Sequence, residues 1–227
     1  MMPRTSATPF RLLAFDADPV TMARRLLGCR LVRVLDGVRL SGMIVETEAY
    51  LGARDRAAHT FGGRRTPRNE AMYLPGGHAY VYFTYGMHHC LNVVCGERDE
   101  GVAVLLRAIE PIEGLDVMAS RRGVQRATAL CSGPAKLCQA LGIDLTFNCE
   151  DMRVSQRLFI EETPESGDGP AKRGRIVRSP RVGVGYAGEW ALKPLRFHLR
   201  GNPYVSSVRI PVADNVGILL RKRDGSR

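Results

Sequence analysis

Apolar and polar positions along the chain separate into stretches of period two and stretches of helical spacing, punctuated by glycine, proline and charge. Asp18-Pro19 reads as a helix N-cap followed by proline at the first helical position. "VTMARRLL" then keeps helical apolar spacing until Gly28 closes it, which predicts one short helix. "RLVRVLDGVRLSGMIVETEAY" alternates on both sides of Asp36-Gly37, the mark of a tight β-hairpin. Its long second arm ends in "VETEAYLG", where alternation sends Glu46, Glu48 and Tyr50 to one face. "ARDRAAHTFGGRRTPRN", residues 53–69, has little periodicity and reads either as an ordered loop over a binding surface or as a mobile one. "HAYVYFTYGMHHCLNVV", residues 78–94, predicts strand, turn at Tyr85-Gly86-Met87, and strand; "GVAVLLRAIEP", residues 101–111, predicts a buried strand ending near Arg107. Helices are expected at Leu115–Arg122 and Pro134–Leu141, closed by Gly123 and Gly142.

Residues 161–181 lose the pattern and gather proline, glycine and charge, which predicts an exposed insertion without chemistry of its own. Residues 182–201 resume the fold with glycine-separated valines and Trp190. The expected class is α+β: a single compact domain around a curved, largely antiparallel β-sheet, with flanking short helices and a protruding β-hairpin. Residues 1–9 are expected to form a flexible N-terminus, 10–206 the domain, and 207–227 an extension with a basic tail.

Composition sharpens this picture. At 227 residues and 44% hydrophobic the chain can bury a substantial core. The 33 basic residues outnumber 23 acids for a formal charge of +10, and only Lys136, Lys172, Lys193 and Lys222 are lysines. An arginine excess suits a phosphate-rich partner, because guanidinium forks bind phosphate bidentately; a basic soluble surface is the plainer alternative. No apolar signal core and no run near the ~20 residues of a membrane span is present, so a cytoplasmic protein is expected. The six cysteines form no CxxC pair and no Cys/His ligand ladder; neither a zinc site nor a disulfide framework is indicated, and buried reduced thiols are expected.

Five of seven tyrosines lie between positions 50 and 85, and four of five histidines between 59 and 89, which concentrates the candidate chemistry in one region. Tyr80 and Tyr82 share one face of their strand, and the turn presents Tyr85, Met87 and His88 at a hairpin tip. Such a tip either tucks against the core or is a wedge for a partner, as in minor-groove binders that unstack DNA. Singly, Tyr50 and Tyr82 also fit half-buried sheet aromatics, His59 a capping or core histidine, and Arg107 a salt-bridge partner of Glu46 or Glu110. Together they fit a pocket for a planar base taken out of a duplex. That pocket accounts for acids in a basic protein, since breaking a glycosidic bond develops positive charge that a carboxylate stabilises while activating water.

These residues resemble the methylpurine-DNA glycosylases (alkyladenine or 3-methyladenine DNA glycosylases). "VETEAYLG", "AAHTFGGRRTPRN", "YVYFTYGMHHCLNVV", "VLLRAIEPIEG", "LCSGPAKLCQALGI" and "RVGVGYAGEWALKPLRF" stand in family order over residues 10–203. The resemblance implies Glu48 as general base for the attacking water, with Arg107 and the backbone around Val184 helping to hold it. It implies a base pocket with Tyr50 and His59 on one side and Tyr82 on the other, and Asn92 excluding the exocyclic amine of guanine. Tyr85 is implied as the DNA wedge, with Met87 and His88 beside it, and Glu46 as structural support. Arg64, Arg68 and Lys136 are the candidate DNA-backbone contacts. The implied protein is a monofunctional DNA repair glycosylase, a monomer without metal or cofactor, acting on double-stranded DNA with alkylated or damaged purines, away from membranes and beside the bacterial nucleoid. A glycosidase acting on free nucleosides or a sugar polymer, and a non-catalytic DNA-damage or architectural binder, are the alternatives.

Overall fold

Asp36 and Gly37 both take positive φ, 49° and 80°, the combination that matches a two-residue turn to the twist of the strands it joins. The computed structural model describes residues 10–12, 14–84, 86–163 and 174–207. Its elements in chain order are β1 (Phe10–Arg11), α1 (Pro19–Arg25), β2 (Arg30–Leu35), β3 (Val38–Tyr50), β4 (Ala79–Thr84), β5 (His88–Val94), β6 (Ala103–Glu113), α2 (Leu115–Arg122), α3 (Ala127–Leu130), α4 (Pro134–Leu141), β7 (Leu158–Glu162), β8 (Ile176–Ser179) and β9 (Arg196–Leu199). The strands form one curved sheet in the order β1-β7-β2-β3-β6-β5-β4, with β9 pairing β3 and β8 pairing β9. Every strand pair is antiparallel, as expected of this α+β class.

The length of β3 decides where the chemistry sits. β2 accompanies β3 only as far as Met43. Beyond it Glu46, Thr47 and Glu48 pair with His198, Phe197 and Arg196 of β9, while β6 runs along the other edge from Ser41 to Tyr50. The "VETEAY" segment is therefore a central strand with an arginine-bearing strand on each side.

One face of the sheet is covered by helices whose apolar stripes match their sequence spacing. Met22 from α1, Met118 from α2 and Leu137 and Leu141 from α4 pack on Ile44, Val104 and Leu106. The α1 start is set by Asp18, whose Oδ1 accepts the Val20 and Thr21 N–H groups at 2.9 and 3.2 Å. Gly123 and Gly142 close α2 and α4 at φ 65° and 64°, a left-handed conformation that side-chain-bearing residues adopt at a cost. A smaller cluster of Ala71, Met72, Tyr80, Val94 and Ala103 supports Tyr82.

Four expectations change. β6 continues past Arg107 to Glu113, because Pro111 falls opposite Gly42 at a register shift where the ladder tolerates a missing N–H. The single turn of α3 had no periodic signal. Of the expected insertion at 161–181, residues 164–173 lie outside the described residues, and the flanks belong to the sheet: Glu161 pairs with Arg11 and Arg30, residues 176–179 form β8, and Arg181 is buried. Five cysteines are buried as expected, but Cys149 is exposed in a turn at φ 69°.

Gly42 has no room for a side chain: a Cβ would meet the Glu110 carbonyl oxygen at 2.7 Å and Ile109 Cδ1 at 2.8 Å. Gly42→Ala is expected to destabilise the fold by ~1–3 kcal/mol, the usual cost of overpacking, with the urea midpoint lowered and the m-value kept. A midpoint equal to the wild type would show that the β3–β6 bulge relaxes freely.

Candidate active site

Glu46 and Glu48 are both completely buried, and the sheet supplies their counter-charges. Arg107 of β6 reaches both, with Nε to Glu46 Oε1 at 2.8 Å and NH1 to Glu48 Oε1 at 3.2 Å. On the opposite edge Arg196 of β9 donates to Glu46 Oε1 at 2.6 Å. Ser206 completes the Glu46 shell, its N–H reaching Oε2 at 2.7 Å and its hydroxyl Oε1 at 2.8 Å. Burial works to raise the Glu46 carboxyl, but Arg107, Arg196 and the Ser206 hydrogen bonds outweigh it and hold the group below the usual carboxylate range. Glu46 is thus ionised and saturated, in keeping with structural support.

Glu48 is held differently. Its Oε1 accepts the Val182 N–H at 2.8 Å, and its Oε2 accepts the Tyr50 hydroxyl at 2.9 Å. Burial, and then the Glu48 charge, push the Tyr50 phenol well up, so it stays a donor at any physiological pH. An ionised carboxylate offers about four acceptor directions. Arg107, Val182 and Tyr50 take three, and one remains for a further donor such as water.

Those three partners line a cavity of about 380 Å³. Glu48 stands directly behind its wall. The remaining lining mixes aromatic and polar groups, among them His59, Tyr80, Tyr82, Asn92, Arg68 and Tyr186, with aliphatic ones such as Leu105 and Val184. Tyr80 and Tyr82 stack at 5.4 Å between centroids, and His59 meets Tyr82 edge-on at 4.7 Å and shares a 2.7 Å hydrogen bond between its Nδ1 and the Tyr80 hydroxyl. His59 remains accessible to solvent, yet enclosure by its neighbours, then Arg68 and Arg64, hold its imidazole below the usual histidine range. It is neutral at pH 7.

The structure therefore brings Glu48, Arg107, Tyr50, His59, Tyr82, Asn92 and Val184 to one place. Asn92 is buried with its Nδ2 on the Tyr80 carbonyl at 3.2 Å. Two details add to the expectation. The backbone N–H on Glu48 is that of Val182, while Val184 lines the cavity and its carbonyl accepts the Ala187 N–H in the following turn. His59 and Tyr82 are in direct edge-to-face contact. Arg68 lines the cavity and Arg64 lines a neighbouring one of about 330 Å³, while Lys136 is exposed on α4 two residues beyond cavity-lining Pro134. Met87 and His88 are exposed at the tip of the β4–β5 hairpin, with Met87 at 69%. Tyr85 lies outside the described residues.

Sequence reasoning missed Asp55 and Arg181. Arg181 donates to Asp55 through NH1 and NH2 at 2.5 and 2.8 Å, and the Asp55 carboxylate also caps the Leu51 and Ala57 N–H groups at 3.0 Å each. An Asx-turn signal was present in "ARDRA", and Arg181 heads "RVGVGY", but its position beside a charged, proline-rich stretch disguised it as surface. Among the described residues no group of three His, Cys, Asp or Glu side chains is placed to hold a metal ion, and no helix is long and apolar enough to cross a membrane.

Comparison with known proteins gives a consistent result. Residues 13–203 match the family Methylpurine-DNA glycosylase (MPG). The DNA-3-methyladenine glycosylase of Mus musculus is 48% identical over 204 residues, 86% of this chain and 60% of that protein. The Homo sapiens protein of the same name is 47% identical over 216 residues, 91% of this chain and 70% of the relative. A protein of Clostridium acetobutylicum is 43% identical over 203 residues, 86% of this chain and 96% of its own length. The chain thus spans less than two thirds of the mouse relative's length.

Removing one member of the charge cluster strands the others. Glu46→Gln is expected to lose ~3–5 kcal/mol of stability at neutral pH, as buried ion pairs do when one partner is deleted. Because the folded Glu46 value is depressed, its contribution is full above the ordinary glutamate value of about 4.3 and is lost as pH falls through the lower folded value. The gap between wild type and variant should therefore narrow only in acid, below about pH 4.3; a pH-independent gap in denaturation titrations would contradict the ionised assignment.

Proposed function

The chain belongs to the methylpurine-DNA glycosylase family, and on that premise we propose that it excises alkylated or otherwise damaged purines from duplex DNA by hydrolysing the N-glycosidic bond. The observation that carries this reading is Glu48, fully buried behind the cavity wall and held by Tyr50, Arg107 and Val182 with one acceptor direction to spare. A carboxylate so placed accepts a proton from water and stabilises positive charge at the anomeric carbon. The C1′–N bond breaks with its electron pair on the purine, the water oxygen bonds to C1′, and the water proton passes to Glu48. A cationic N-alkylated purine leaves as a neutral base and needs no proton.

The aromatic lining supports the base pocket. Tyr50, Tyr82 and the neutral His59 offer π surface to a purine turned out of the stack, and a cationic base gains ~0.5–2 kcal/mol from a ring face. Asn92, buried with its amide at the cavity, is the group that rejects the exocyclic amine of normal guanine. Exposed Met87 on the protruding hairpin supports a wedge, with Tyr85 and His88 as its neighbours in sequence. Arg64, Arg68 and Lys136 are exposed and suit phosphate contacts, and the protein acts on double-stranded DNA as a monomer.

Single-turnover excision of 3-methyladenine or 7-methylguanine from duplex DNA tests this directly. Glu48→Gln should lower the rate ~100–10,000-fold with the fold intact, the usual cost of losing a general base. A near-normal Glu48→Gln rate would remove the role from Glu48. Release from free nucleoside but not duplex would make the protein a nucleosidase, and release from neither a DNA binder alone.

No lysine lies between residues 1 and 135, the stretch that carries the strand and hairpin motifs, so hydrolysis without a Schiff base is expected. The product should be an intact strand with an abasic site, and borohydride trapping of a covalent DNA adduct would defeat the water mechanism. Affinity should also fall steeply with salt as phosphate counterions are released, whereas a flat dependence would argue against a DNA backbone partner.

A further inference from the structure

Arg181 has a second neighbour besides Asp55. Its guanidinium carbon stands 4.7 Å from the centroid of the Tyr50 ring. Tyr50 lines the cavity, whereas Arg181 is buried and does not, so the ring separates this cation from the cavity. Hydrogen bonds from NH1 to the Ala49 carbonyl at 2.9 Å and to Asp55 at 2.5 Å fix the guanidinium there, and its Nε finds no acceptor among the described residues.

We propose that Arg181 is a specificity-determining residue: acting through Tyr50, its charge weakens the attraction of that ring for a cationic base in the cavity and so widens the substrate class toward neutral damaged purines. This rests on the base-excision reading above. An aromatic ring attracts a cation on either face through its quadrupole, and a guanidinium already holding one face repels a second cation stacked on the other. The two charges would stand about 8 Å apart, which at an effective dielectric of about 20 corresponds to roughly thirtyfold in an equilibrium constant. Asp55, paired with Arg181 but not stacked on the ring, cancels part of this. Several-fold remains. Arg68 also lies over an aromatic of the pocket, 5.8 Å from Tyr82, but it is exposed and its charge is screened by solvent. The remaining pocket carboxylate, Glu48, is balanced by Arg107.

The test compares single-turnover excision of cationic 7-methylguanine with that of neutral hypoxanthine, each placed once in the same duplex. Replacing the ion pair by a neutral hydrogen-bonded pair, Arg181→Gln with Asp55→Asn, should raise the cationic-to-neutral rate ratio several-fold. Arg181→Lys keeps the charge and should leave the ratio within about twofold even where both rates fall through looser positioning. A merely structural Arg181 would lower both rates together and leave the ratio of the neutral pair unchanged, which would overturn the proposal. If the neutral pair does not fold, Asp55→Asn alone decides: it leaves the Arg181 charge uncompensated behind Tyr50, so the cationic-to-neutral ratio should fall several-fold, and an unchanged ratio overturns the proposal. Wild-type excision of 7-methylguanine with no neutral purine accepted would overturn the proposal alone, and excision of neither base would overturn the base-excision reading with it.

Discussion

Two carboxylates cannot lie side by side in the interior of a protein unless positive charge is brought to them, and Arg107 is the group that does so. Its guanidinium spans Glu46 and Glu48 from the neighbouring strand, and the rest of the site follows from the requirement that no charge be left over. Arg196 balances Glu46 from the other edge, and Arg181 balances Asp55. Three buried carboxylates thus face three buried arginines. The long β3 strand is the device that makes this possible, because its far half exchanges β2 for β9 and so gains an arginine-bearing neighbour on each side.

Within that frame the two glutamates are chemically distinct although they lie two residues apart. Glu46 receives hydrogen bonds from two arginines and from both the backbone and hydroxyl of Ser206, and nothing further can approach it. Glu48 receives one arginine, one backbone N–H and one phenol, and all three donors are also cavity wall. The same residue type therefore serves structure at one position and is available for chemistry at the next. Position relative to the cavity makes the difference.

The aromatic surroundings follow the same logic of shared groups. Tyr50 lines the cavity, gives its hydroxyl proton to Glu48 and has the Arg181 guanidinium over its ring, so three different neighbours engage it. His59 stays neutral because enclosure and nearby arginines both disfavour its charged form. The cavity wall thus carries positive charge at Arg68 and Arg107 beside its uncharged aromatic side chains, with Glu48 behind it.

Local chemistry was legible in the chain itself. The Asp36-Gly37 turn, the Asp18 cap, the glycine stops after α2 and α4, and the shared face of Glu46, Glu48 and Tyr50 all depend on neighbours within a few residues, where backbone preference and period-two alternation act directly. The ordered family motifs likewise carried Tyr50, His59, Tyr82 and Asn92, which the fold brings to one cavity wall. What alternation does not encode is which distant strand lies alongside, so Arg196, Ser206, Asp55 and Arg181 were not identified as partners of the site, and the Val182 N–H as a donor to Glu48 emerged only in the fold. Arg181 is the clearest case. Charge beside proline and glycine reads as solvated surface from sequence alone, and only folding, by bringing Asp55 from 126 positions away, gives that charge a reason to be buried.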